Sequence, residues 1–78
     1  MARLLLLGPA REAAGVARDE IDGTTVAAVL IGAVARYGAA FDEVLAVSQI
    51  WVNGEPAESS QNVSATDEVA VLPPISGG

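Results

Sequence analysis

The chain contains no cysteine, no histidine and no lysine. Without cysteine there are no disulfides, no thiolate nucleophile and no cysteine-based zinc site. Without histidine the commonest general base and metal ligand is missing. Without lysine there is neither a P-loop amine nor a Schiff-base nucleophile. Aromatic residues are scarce, with one each of Trp, Tyr and Phe. Long apolar runs are absent as well, since nothing approaches the roughly 18 residues of a membrane span. The leucines of the opening MARLLLLGPA fall short of the about 7–15 apolar residues of an export signal, so a cytoplasmic protein is expected. Positive charge is sparse, with four arginines against ten acids and a formal net charge of −6. That balance argues against nucleic-acid binding and favours docking on a basic partner surface.

The search for an internal catalytic site ends with little. There is no GxGxxG, GxxxxGK[ST] or GxSxG, and no metal-ligand spacing. Asp42-Glu43 and Asp67-Glu68 read as solvated surface, because neighbours in sequence point apart. Arg11-Glu12 reads as an exposed ion pair, with a partner contact by Arg11 as the alternative. No metal and no bound cofactor is expected.

What is present is enough for one small domain. The 78 residues are 51% hydrophobic, so a single core is feasible without a metal or disulfide. Residues 2–7 read as a strand ended by Gly8-Pro9. AREAAG allows a single helical turn, and residues 16–21 a weak second strand. Thr24 is the expected N-cap of a helix over residues 25–37, closed by Gly38, in which Gly32 costs about 1 kcal/mol relative to alanine. SQIWVNGEPA carries the Asn53-Gly54 signal of a tight hairpin, and Pro56 marks its second strand as an edge. SSQNVS reads as a polar loop, and residues 67–72 as a last strand stopped by Pro73-Pro74. The order predicts an α+β roll, a sheet of four to five strands with one main helix on one face.

One helix covers one face, and alternate strand residues point to opposite faces. With Leu4, Leu6, Ile50, Val52, Val69 and Val71 toward the helix, Leu5, Leu7, Trp51, Ala70 and Leu72 point away. An uncovered face carrying three leucines and a tryptophan is a candidate partner surface. The remaining reactive group belongs to the backbone: the carboxylate of Gly78. Glycine lets a narrow channel close round the chain and leaves the carbonyl open to attack. Pro73-Pro74 biases the approach toward an extended form, so residues 74–78, at about 3.1 Å each, reach up to roughly 15 Å from the fold.

TDEVAVLPPISGG resembles the end of the small, sulfur-carrier subunits of molybdopterin synthase, which finish with an acidic pair, a valine-rich strand, two prolines and diglycine. RLLLLGPAREAAG resembles the opening of that family, and WVNGEPA its hairpin. The resemblance implies a ubiquitin-like β-grasp fold. It also implies that an ATP-dependent enzyme adenylates Gly78 and that a sulfurtransferase donor makes it a thiocarboxylate. The tail of Pro73, Pro74, Ile75, Ser76 and Gly77 then delivers sulfur, inside the large catalytic subunit, to cyclic pyranopterin monophosphate. The chain would thus contribute no catalytic side chain, yet serve as the sulfur-donating part of a two-subunit enzyme, a heterotetramer of two small and two large subunits. By position, Leu7, Pro56 and Leu72 match small-subunit residues that pack on the large one. That family often has aromatic residues where Leu7 and Leu72 stand, and smaller residues at the position of Trp51. Two other readings stay open: a sulfur carrier for thiamin thiazole or cysteine synthesis, and a ubiquitin-like modifier joined through Gly78 to a target lysine.

Overall fold

The computed structural model of the chain describes residues 1–74. Five strands form one mixed sheet, in chain order β1 (Ala2–Leu6), β2 (Arg18–Ile21), β3 (Gln49–Val52), β4 (Glu55–Pro56) and β5 (Glu68–Leu72). Their spatial order is β2-β1-β5-β3-β4. The two terminal strands, β1 and β5, lie parallel at the centre, and every other pairing is antiparallel. Both central strands, ARLLL and EVAVL, are mostly apolar and bury alternate residues on one face.

Three helices accompany the sheet: α1 (Pro9–Ala14), α2 (Val26–Tyr37) and α3 (Ala39–Leu45). The inner sheet face closes on them through Leu4, Leu6, Val69 and Val71, met by Val29 and Ala33 of α2 and Phe41 of α3, all essentially inaccessible. Phe41 also meets the ring of Tyr37 edge-on, with centroids 5.2 Å apart, a favoured aromatic geometry. Among the described residues no polar or charged residue is buried. Ile50, expected in that core, is only half-buried.

The helices depart from expectation in three places. The roll has more than one helix on its inner face, because a second one starts directly after Gly38. That glycine closes α2 through its N–H to the Val34 carbonyl and serves as the residue before α3, at φ 93°. Thr25, not Thr24, caps α2: its Oγ1 accepts from the Ala28 N–H at 3.2 Å. Gly32 is not merely a weak helix former, since a Cβ there would stand 2.7 Å from Cγ2 of Ile21. It lets α2 approach β2.

The polar loop is more than a linker. Its Gln61 and Ser59 carbonyls accept from the N–H groups of Val26 and Ala27 at 2.9 Å each. With the Thr25 cap, the three leading N–H groups of α2 are all satisfied from within the chain. The hairpin turn forms as its Asn-Gly signal requires, with φ of 50° at Asn53 and 84° at Gly54. The Asn53 side chain then joins hairpin to β5, donating to Asp67 Oδ1 and accepting from the Glu68 N–H, both at 2.9 Å.

Both edges of the sheet are blunted. At β4 the edge residue Pro56 has no N–H. At β2 the Leu6 N–H pairs inward with the Ala17 carbonyl, and the alternation of an antiparallel ladder turns the backbone groups of Glu20 outward. Side chains occupy them: the Glu20 N–H donates to Asp19 Oδ1 at 2.8 Å, and its carbonyl accepts from Arg36 Nη1 at 3.1 Å. The same Arg36 atom reaches Asp19 Oδ2 at 2.8 Å, and the Tyr37 hydroxyl donates to that oxygen too.

Candidate functional site

The outer sheet face carries the candidate surface, and the strand registers put its residues in rows. One row runs across all five strands as Arg18, Leu5, Ala70, Trp51 and Pro56. A second, toward one end, holds Glu20, Arg3 and Glu68. A third, toward the other end, holds Leu72 beside Gln49, with Leu7 following in the line of β1. The face is therefore graded along its central strands: charged where β5 begins, apolar where it ends.

At the charged end, Arg18 meets Glu68 at 3.3 Å and Arg3 donates to the Thr66 carbonyl at 2.9 Å. Asn53, foremost, together with Ser64 holds the Asp67 carboxyl below its usual range by donating to it. Asp67 is thus tied into the fold by Asn53 and Ser64, and Glu68 by Arg18 and the Asn53 side chain. The two largest shifts lie off this face, at Asp19 and Tyr37. Hydrogen bonds from Tyr37 and then Arg36 hold the Asp19 carboxyl at about 2, while burial and the bond to Asp19 push the Tyr37 phenol up to about 12. Both shifts favour the locked edge described above.

At the apolar end, Leu5, Trp51, Ala70 and Leu72 are half-buried, and Leu7 and Pro56 are exposed. Parity in the sequence placed Leu5, Leu7, Trp51, Ala70 and Leu72 on a common face, and the strand registers set Pro56 beside Trp51 in the same row. Trp51 bonds to a residue of its own strand, its Nε1–H donating to Gln49 Oε1 at 3.0 Å. Sequence reasoning passed over Gln49, although its spacing of two from Trp51 put it on the same face.

Arg11 stands apart from this face, on α1, beside a shallow depression lined by Gly8, Glu12 and Gly15. The expected Arg11–Glu12 ion pair does not form. Arg3, Arg18 and Arg36 each bond within the fold, whereas Arg11 has no hydrogen-bonded or ion-paired partner among the described residues.

The apolar end is also where the chain leaves the sheet, through Pro73 and Pro74, both exposed. Ile75, Ser76, Gly77 and Gly78, the expected reactive tail, lie outside the described residues. Among the described residues no three His, Cys, Asp or Glu side chains converge as a metal site, and no helix is long and apolar enough to cross a membrane. The N-terminus of α2, an anion site in many folds, is filled by the loop carbonyls and the Thr25 hydroxyl.

The profile of the ThiS family matches residues 4–78. No curated protein sequence matches the chain. Among solved structures, SAMP1 from Haloferax volcanii is 30% identical with a TM-score of 0.79, over 99% of this chain and 98% of that one. The small archaeal modifier protein 1 from Methanosarcina acetivorans is 25% identical with a TM-score of 0.87, over 99% and 95%. A putative molybdopterin converting factor subunit 1 from Pyrococcus furiosus is 25% identical with a TM-score of 0.83, over 95% and 97%. These likenesses identify the architecture as the ubiquitin-like β-grasp.

Proposed function

This chain belongs to the ThiS family, with its ubiquitin-like sulfur-carrier fold, and we propose that its working group is the carboxylate of Gly78. ATP converts that carboxylate to an acyl-adenylate with loss of pyrophosphate, and a sulfur donor then displaces AMP to leave a thiocarboxylate. The observation that carries this reading is the position of the tail's root. The last strand is central in the sheet, and it ends at the apolar edge of the outer face in two prolines that cannot extend the ladder. A partner covering Leu5, Leu7, Trp51 and Leu72 thereby lies where the terminus emerges, so docking and delivery form one event.

For the partner we propose the large subunit of molybdopterin synthase, to which the thiocarboxylate gives sulfur for cyclic pyranopterin monophosphate. The 25% identity to a molybdopterin converting factor subunit supports this, as do the paired prolines before the diglycine. A second reading, conjugation of Gly78 to lysines of target proteins, is supported by the 30% identity to a small archaeal modifier protein. Both share the adenylation step and differ only in the nucleophile that follows. A third, sulfur delivery for thiamin thiazole or cysteine, shares the same chemistry.

Intact mass on protein from a host with an active molybdenum-cofactor pathway tests the reading. A gain of roughly 16 Da at Gly78, the difference between oxygen and sulfur, is expected. Sulfur transfer to the pyranopterin precursor with added large subunit then identifies the pathway. Gly78–lysine conjugates in place of the gain would establish the modifier.

A further inference from the structure

The parallel pair at the centre of the sheet ends in a divergence. The Leu7 N–H donates to the Val71 carbonyl at 3.1 Å, and beyond that bond the strands part. β1 turns at Gly8 into α1, while β5 runs through Leu72 to Pro73. At the fork the two chains touch. A Cβ on Gly8 would stand 2.8 Å from Cγ of Pro73 and 3.7 Å from its Cδ. The proline ring therefore rests on the bare α-carbon of Gly8.

Glycine is needed at this point on two independent grounds. Its φ of 56° and ψ of −130° lie near those of the first central residue of a type II′ turn, a conformation that disfavours any side chain. The space where a side chain would begin is already taken by Pro73. Pro73 has no N–H with which to continue the ladder, and Pro74 after it holds it extended. The contact with Gly8 is what remains to fix the ring against the fold.

We infer that Gly8 and Pro73 form a brace that aims the chain as it leaves β5, which makes Gly8 a positioning residue for activation of the terminus. This rests on the function proposed above. Residues 74–78 can span up to roughly 15 Å, so a turn of about 20° at the root moves the far end by about 5 Å. A braced root lowers the ordering that an activating enzyme must impose to thread the terminus. It leaves the chemistry at Gly78 itself untouched, so the brace acts on capture of the carrier and spares the turnover of the captured complex.

Pro73→Ala removes the ring without touching the Gly8 turn, and is compared with wild type in pyrophosphate exchange by an adenylating enzyme that accepts the wild-type chain. A rise in KM for the carrier of roughly tenfold, with kcat within about twofold, is expected. In a Gly8→Ala background the ring is already displaced, so adding Pro73→Ala changes KM little. An unchanged KM in Pro73→Ala, or a loss confined to kcat, overturns the brace. Nuclear Overhauser contacts between the Gly8 α-protons and the Pro73 ring in the free wild-type protein test it without any enzyme, and their absence overturns it as well. If the adenylating enzymes of the chain's own source all fail to accept the wild-type chain, with those contacts present, it is the reading of Gly78 that is overturned.

Discussion

The two faces of the sheet are built from the same strands and differ only in the parity of their residues. Leu4, Leu6, Val69 and Val71 point inward and are sealed, whereas Leu5, Ala70 and Leu72 point outward and stay half open. The inner face is uniform along its length. The outer face changes character over five residues of β5, from the ion-paired Glu68 to Leu72 at the root of the tail. Their leucines are not distinguished by composition: Leu5 and Leu6 are chemically identical neighbours, one sealed in the core and the other left half open.

The sharpest way to break that comparison is to truncate the neighbours in turn. Leu6→Ala should destabilise the fold by about 2–5 kcal/mol, the range for a leucine lost from a sealed core, read from its denaturant midpoint. Leu5→Ala should cost under about 1.5 kcal/mol, because the side chain is already half in water. Equal costs would mean that the outer face is a second core.

Binding should show the reverse. Leu72→Arg should leave the midpoint nearly unchanged yet weaken capture by the proposed partner, a molybdopterin synthase large subunit, by about 2 kcal/mol or more, as for a central apolar anchor. Titration calorimetry against that isolated subunit would measure it, and unchanged affinity would move the docking surface elsewhere.

Much of this contrast was legible in the sequence because strand parity is a short-range signal. Alternation along RLLLL, QIWV and EVAVL assigned the faces before any pairing was known. The helices were harder. Gly38 reads as a stop signal and did stop α2, but it also begins α3, whose seven residues are too few for a periodic stripe. The spacing of Phe41, Val44 and Leu45 was the available clue. Gly32 was misjudged for a different reason: propensity sees only the helix, while the 2.7 Å approach to Ile21 comes from packing. The brace at Gly8 was hidden likewise, since its two partners are 65 positions apart and meet only through the β1–β5 pairing. On the site, the exposed leucines and Trp51 were found by parity, while Gln49 was missed because it acts through Trp51.

A smaller effect sharpens the view of α2. Gly32→Ala raises helix propensity yet should destabilise by about 1–3 kcal/mol through overpacking against Ile21, measured by thermal unfolding. Stabilisation would show that Ile21 can swing aside.

The smallest effects belong to the edge of β2, and they depend on pH. Asp19 is favoured as a carboxylate in the fold, so its contribution is fully present above the model-peptide value of 3.8 and is lost as pH falls through about 2. Tyr37 works at the other extreme. Its neutral form is favoured, so that contribution is intact below pH 10 and fades as pH rises through about 12. Tyr37→Phe should remove the alkaline loss and raise the Asp19 titration toward 3.8, followed by the carboxyl carbon resonance. An Asp19 titration that stays near 2 would assign the shift to Arg36 and the Glu20 N–H.

The edge that these residues close also limits how the molecule can be approached. A strand offered by any other chain finds the donor and acceptor of Glu20 already engaged, and at Pro56 no donor at all. Recruitment by main-chain zippering, the least discriminating way for one sheet to seize another, is refused at both places. Whatever handles this protein must recognise side chains on a surface or take hold of the terminus. A crowded solution of it can stay free of the edge-to-edge stacking that open sheets invite.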